Sequence, residues 1–381
     1  MLDLSLASGV AQPVSDATLR GAAALARGGL TVLCLDACGE LTHEARLEVV
    51  TANAGSLREL SWASMDSSEA KYLNFSQVQE LAGAVPQLVS FKVDTFASVS
   101  RGTRMLWNDA PLGALQLQCL WVEHHGEDAD EESLLAFCAA MSAHTTLKMM
   151  QVNDTPLDSP AVIDALSAAA LACKLGALLL CQCHLSPASV PALARLVSSG
   201  VLWSLFVVND DTPLLNEAAA TQLADAVAAS RTLTLLGLCN CCFWDDAEAT
   251  AVMMRACTGH SFLEELNLCC NDPPDQSAAG AALGALVAAN TPLKKLTVSR
   301  SSLGDAGLDG LCRGLARNNR LRGLQCWDVG LSKAFARNVL VPAVRANRSL
   351  RCLDASHQWD GAPSALLNVE ALVVARNAAG A

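Results

Sequence analysis

Residues 263–321 hold two copies of one unit, LEELNLCCNDPPDQSAAGAALGALVAANTP and then LKKLTVSRSSLGDAGLDGLCRGLARNNR. Each copy opens with apolar residues at positions 1, 4 and 6: Leu263, Leu266 and Leu268, then Leu293, Leu296 and Val298. The last two of each set sit two apart, the period of a short strand with one buried face. Further along, Leu308, Leu311 and Leu315 recur at helical spacing. Gly304 and Asp305 are expected to supply a turn and a helix N-cap. Asn290, Asn318 and Asn319 are expected to take the left-handed conformation that closes a helix.

Such a unit cannot bury its own apolar face; stacked copies can. Position 1 recurs at Met1, Leu30, Leu57, Leu88, Leu117, Leu147, Leu175, Leu202, Leu233, Leu263, Leu293, Leu321 and Leu350, with gaps of 27 to 31 residues. For the fifth start, Leu117-Leu120-Val122 fits the spacing better than Leu112-Leu115-Leu117. Helices are about 10 Å across and strands about 4.8 Å apart. A layer of each must therefore curve. The expected fold is α/β: a solenoid of about thirteen repeats forming a horseshoe, its parallel sheet concave and its helices convex. Nothing reads as a linker, so residues 1–381 are expected to form a single domain. Met1, Leu4 and Leu6 already read as a strand, and a last helix is expected over 364–376. Both ends look uncapped, which points to self-association or partner covering there.

Position 9, where the chain leaves the strand, holds Cys38, Cys183, Cys241 and Asn271, with Gly9, Thr155, Asp210 or Ser301 elsewhere; Met65, Phe96 and Val329 depart. A small polar side chain there can bond the backbone of the turn. The unit length, the Cys/Asn at position 9 and the helix GDAGLDGLCRGLARN resemble ribonuclease-inhibitor-type leucine-rich repeat proteins. That group includes ribonuclease inhibitors, repeat domains of NOD-like receptors and the activating protein of the Ran GTPase. The resemblance implies the horseshoe fold and a protein-binding role, and leaves the ligand open.

Charge bears on the partner. The formal net charge is −12, against nucleic acid as the main partner. Residues 293–381 carry 13 Lys+Arg against 6 Asp+Glu, and the rest carries 13 against 32. The long acidic part favours a basic partner. The longest charge run, 123–132, reads as the opening of a helix, where acidic side chains suit the positive end. Sixteen cysteines are many, but small secreted disulfide scaffolds are short and loop-rich, and this chain of 381 residues is neither. They read as reduced, packed thiols, so a cytoplasmic setting is expected. No secretory leader and no membrane-spanning run is evident. Asn74 and Asn347 match glycosylation acceptors by chance on this reading.

Outward positions of the sheet and its turns nominate the contact residues: Trp121, Glu123, Phe206, Asn267, Lys295, Gln325, Trp327, Asp328, Asp354 and Trp359. Large aromatics on an open sheet are unusual, and Trp is enriched where binding energy concentrates. Trp121, Phe206 and Trp327 lead the set, although each could be an ordinary covered surface residue. Trp62 takes position 6 and reads as core. Cys239 and Cys269 occupy position 7 of adjacent units, about 5 Å apart. The paired CxxC knuckles of a structural zinc site are absent, so packed thiols are the better reading. His124, His125, Glu127, Asp128 and Asp130 lack the spacing of a calcium loop. No nucleophile elbow, HExxH, phosphate loop or GxGxxG after a strand occurs. The expectation is a non-enzymatic protein-binding scaffold without cofactor or metal. The alternatives are a GTPase-activating accessory, for which Arg300 and Arg322 are the available arginines, or a sensor or effector fragment.

Overall fold

The computed structural model describes residues 2–3, 14–26, 29–35, 41–62, 80–81, 83–95, 117–124, 131–210 and 212–355. They fall into two compact units, 1–183 and 184–381, built to one plan. In the first, β1 (Leu2–Asp3), β2 (Val32–Cys34), β3 (Glu59–Trp62), β4 (Ser90–Thr95), β5 (Cys119–His124), β6 (Met149–Asn153) and β7 (Ala177–Cys181) lie parallel in chain order. In the second, β8 (Ser204–Val208), β9 (Leu235–Cys239), β10 (Glu265–Asn267), β11 (Lys295–Thr297), β12 (Gly323–Gln325) and β13 (Cys352–Asp354) do the same. Helices alternate with the strands. The first unit has α1 (Asp16–Leu25), α2 (His43–Ala52), α3 (Glu131–Ser142) and α4 (Pro160–Ala172) among its described residues. The second has α5 (Val190–Ser198), α6 (Glu217–Ala229), α7 (Ala247–Gly259), α8 (Gln276–Ala288) and α9 (Gly304–Leu315). Its last helix, α10, runs through Lys333–Phe335, a π-helical stretch Ala336–Leu340 and Val341–Ala346. The architecture is that of a leucine-rich repeat solenoid.

Strand pairing follows the apolar pattern. Leu33, Leu60, Phe91, Leu120, Met150 and Leu178 align across the first unit. Leu205, Leu236, Leu266, Leu296, Leu324 and Leu353 align across the second. All twelve are position 4 of their repeats, and Leu120 upholds Leu117 as the fifth start. The first repeat is the exception. Leu2, rather than Leu4, lies opposite Leu33. Leucines two apart satisfy the alternation in either register, and pairing selects the other one. Leu30, Leu57, Leu88, Leu117, Leu147, Leu175, Leu202, Leu233, Leu263, Leu293, Leu321 and Leu350 are all buried. Full burial of each such side chain contributes about 2 kcal/mol.

Polar side chains join one repeat to the next. Asn271 Oδ1 accepts from the backbone of Cys241 and Phe243, and its Nδ2 donates to Leu238, Leu268 and Cys269 carbonyls. Asp210 was expected in the same role. Asn209 takes it instead, bonding both the N–H and the carbonyl of Leu185. Asp210 meets His184 at 3.2 Å. At the helix-to-strand loops, Asn318 Oδ1 accepts from Arg320 and Leu321, and Asn347 Oδ1 from Ser349 and Leu350. His260 Nδ1 accepts from Phe262 and Leu263 in the equivalent place. Burial lowers the His260 pKa and keeps its ring neutral, as acceptance requires. Of the three asparagines expected to be left-handed, only Asn290 has a positive φ. Asn318 and Asn319 do not, because Asn318 closes its loop through the side chain. Asn347 is buried, with Nδ2 committed to Leu315 and Asn318 carbonyls, and offers no glycan acceptor.

Asp305 is not an N-cap. Leu303 takes the cap position, and both Asp305 oxygens accept from Ser332, the cap of the following helix. Asp16 holds Thr42 in the same way, and Glu131 accepts from the Ser159 hydroxyl. Glu131 and Glu132 lie in the first turn of α3, where the acidic run was expected to open a helix. The remainder of that run's loop, 125–130, lies outside the described residues, as do Met1, Leu4, Leu6, Gly9, Cys38, Met65, Asn74, Phe96 and 364–376.

Candidate partner-binding face

The sheet face away from the helices is built from alternate strand residues. In residues 184–381 one row crosses all six strands: Phe206, Gly237, Asn267, Thr297, Gln325 and Asp354. It spans about 24 Å at strand spacing. Four of the sequence-nominated residues therefore stand in a single line. Phe206 is half-buried, and a Cβ at Gly237 would lie 2.4 Å from its ring. The ring thus lies over the glycine and fills the place where the next side chain would stand. Asn267 accepts from its own chain at Cys269 N–H, 3.0 Å away. Thr297 Oγ1 donates to Gln325 Oε1, 2.9 Å away. The adjacent row holds Lys295, whose Nζ is 3.7 Å from Glu265, so its charge is largely matched.

Above the row stands Trp327, half-buried at the end of its strand segment. Its backbone N–H donates to Ser299 Oγ, and the Arg300 guanidinium lies 5.9 Å from its ring centroid. Arg300 reaches that place because it is left-handed, at φ 53°. Position 8 repeats this conformation at Asp154, Gln182, Asn240, Cys270 and Asp328. This row of turns swings the chain out of the sheet. Asn and Asp tolerate the conformation, so it was partly legible; Arg300 and Cys270 gave no such signal. Asp328 is exposed beside Trp327.

In residues 1–183, Trp121 and Glu123 pair in register with Gln151 and Asn153. Their side chains, and that of Trp62, lie outside what is described, and Trp359 lies outside the described residues altogether. On the other edge of the sheet, just before the strands, sequence reasoning singles out Arg322 alone. Trp203 and Phe262 are exposed there, at 44% and 46%. Arg320, Arg322, Arg348 and Arg351 follow on the same edge.

The fifteen described cysteines are free thiols. Cys239 and Cys269 face each other across β9 and β10, two residues beyond the Gly237–Asn267 pair, and their side chains hydrogen-bond. The Cys239 thiol is raised by that bond and by burial. Cys269 is lowered, first by the Cys239 bond, with Cys270 and Arg300 adding to it. Burial pushes Cys138, Cys257 and Cys312 up to about 12, with the Asp309 charge adding to it at Cys312. Among the described residues, no group of three His, Cys, Asp or Glu side chains could hold a metal. No helix among them is long and apolar enough to cross a membrane.

No family model matches the chain, and comparison with curated proteins finds no match. Among solved structures it is similar to a chain of the Rad7 and Elc1 complex in yeast, with a TM-score of 0.55 and 14% identity over 92% of this chain and 82% of that one. Leiomodin-1 actin-binding site 2 aligns at a TM-score of 0.31 and 16% identity, over 35% of this chain and 76% of that one. The first likeness bears on the fold; the second carries no weight.

Proposed function

We propose that this chain is a non-enzymatic scaffold that binds a protein partner on the sheet face of residues 184–381. The observation that carries the reading is the Phe206–Asp354 row beneath the Trp327–Arg300 pair. Such a surface combines a register-locked line of mostly polar groups with two aromatic anchors, Phe206 at one end and Trp327 near the other, the composition of a contact core with a polar rim. Asp354 and Asp328 make the Trp327 end acidic, which suits a partner with basic side chains there. Repeats of the ribonuclease-inhibitor type are part of the same proposal, on the strength of Cys183, Cys241 and Asn271 at position 9. The free thiols suit a reducing compartment.

The test is to recover a partner with the whole chain, purify it, and compare affinities. Trp327→Ala is expected to weaken binding tenfold or more, and Arg255→Ala, on the exposed side of α7, to leave it unchanged. Equal affinities for both variants and the parent would remove this face. GTP hydrolysis by small GTPases is expected to be unaffected by the chain and by Arg300→Ala.

A further inference from the structure

Four arginines converge at the strand-entry edge of the last two repeats. Arg320, Arg322, Arg348 and Arg351, with Asn319 and Ser349, line an open cleft of about 740 Å³. No carboxylate and no apolar side chain is among the lining residues. Their backbone is firmly held. Asn318 and Asn347 fix the two loops from inside, and Asn347 Nδ2 ties one loop to the other through the Asn318 carbonyl. The N–H groups of Arg351 and Cys352 both donate to the Arg322 carbonyl, which sets the two strand-entry arginines side by side.

One repeat earlier the same edge is neutralised. Lys294, equivalent to Arg322, pairs with Glu264 at 2.5 Å. Arg320, Arg322 and Arg348 have no ion pair among the described residues. Stacking like charges at strand spacing raises the energy of the unliganded fold. A bound polyanion would reverse that term.

We propose that this cleft docks a carboxylate-rich segment of a protein partner. Guanidinium groups bind carboxylates bidentately, and a held backbone reduces the ordering cost of doing so. The lining contains no aromatic side chain on which bases could stack, which disfavours single-stranded nucleic acid, as does the net charge of −12. The lack of apolar lining disfavours insertion into a lipid surface. The proposal rests on the scaffold reading only in that the occupant is a protein; the cleft and the Trp327 face are separate sites.

The experiment is fluorescence anisotropy of the whole chain with a short labelled Glu/Ser peptide and its Gln/Ser counterpart. The Glu peptide is expected to bind at least tenfold more tightly, and to weaken as salt is raised. Arg320→Ala/Arg348→Ala is expected to lose that preference with a melting temperature at or above the parent's, since like-charge repulsion is relieved, and Arg320→Ala/Arg348→Glu to reverse it. Trp327→Ala should retain it; its loss of partner affinity, or failure to lose it, judges the scaffold reading alone. Equal binding of the two peptides, or an unaffected double variant, would overturn the proposal. So would tighter binding of an oligo-uridine or of phosphatidylserine vesicles at the same ionic strength.

Discussion

The helix side and the sheet side of residues 263–321 hold neighbouring repeats together by opposite means. Between α8 and α9 the contact depends on side chains that are missing. A Cβ on Gly280 would lie 2.1 Å from the Gly307 carbonyl oxygen, and one on Gly310 would lie 2.3 Å from that of Gly280. Gly284 and Gly314 meet in the same manner. On the sheet side the contact depends on side chains that are present: Asn271 alone spans five backbone groups of two repeats. A fixed repeat spacing can thus be met by steric absence or by hydrogen bonding. Neither device uses the outer sheet face, which stays free to vary.

The glycine contact should break first and hardest. Gly310→Leu forces backbone from backbone, with no flexible side chain to yield. A loss of about 4 kcal/mol is expected, beyond the usual overpacking range. Gly280→Ala sharpens the point by its sign. An exposed helical Gly→Ala change ordinarily gains about 0.5–1 kcal/mol, and Gly21→Ala in α1, with nothing within 4 Å of its new Cβ, should show that gain. Gly280→Ala should instead lower the urea midpoint. A rise in both would mean that α8 and α9 are not in backbone contact.

Asn271→Ala comes next. It strands buried N–H groups of Cys241 and Phe243 and carbonyls across two repeats, at about 3 kcal/mol in total. Amide exchange of Cys241 and Phe243 should quicken more than that of residues in α9. Uniform loss of protection would show that the side chain holds no particular turn.

A smaller effect is expected where the neighbour can move. Alanine at Gly237 meets the Phe206 ring, the far end of a flexible side chain, so Gly237→Ala should cost only about 1 kcal/mol. Adding Phe206→Leu should remove most of that cost. Additive losses in the double-mutant cycle would show that ring and glycine do not share the space.

How much of this was legible in the sequence differs by side. Leucines at positions 1, 4 and 6 gave twelve of the thirteen registers, because burial of one face penalises a one-residue slip. The first failed because Leu2, Leu4 and Leu6 offer two equivalent frames. The row through Phe206, Asn267, Gln325 and Asp354 followed from the same arithmetic. What each side chain does there did not, since the ring over Gly237 and the Thr297–Gln325 bond depend on rotamers. Asp305 was misread as a cap because an acidic residue after a turn serves equally well to hold the cap of the next helix. The arginine cleft was missed because positions −1, 0 and 2 lie outside the alternation, and because Arg320 and Arg348 come to line one cleft only once two loops stack.

The finest contrast lies within the cysteines. Cys257, in α7, is buried against apolar atoms, while Cys269 sits half-exposed at the sheet end with the Cys239 thiol donating to it. An ordinary thiol ionises near 8.5. The Cys239 bond stabilises the charged form of Cys269, so its thiolate should appear at lower pH, and burial delays that of Cys257 to about 12. Iodoacetamide labelling followed by mass spectrometry should therefore mark Cys269 at neutral pH and leave Cys257 and Cys312 unmarked in the folded chain. Cys239→Ala removes the donor and should move the Cys269 labelling curve to higher pH without changing the urea midpoint by more than the cavity cost of one thiol. A curve that stays in place would assign the lowering to Cys270 and Arg300 instead.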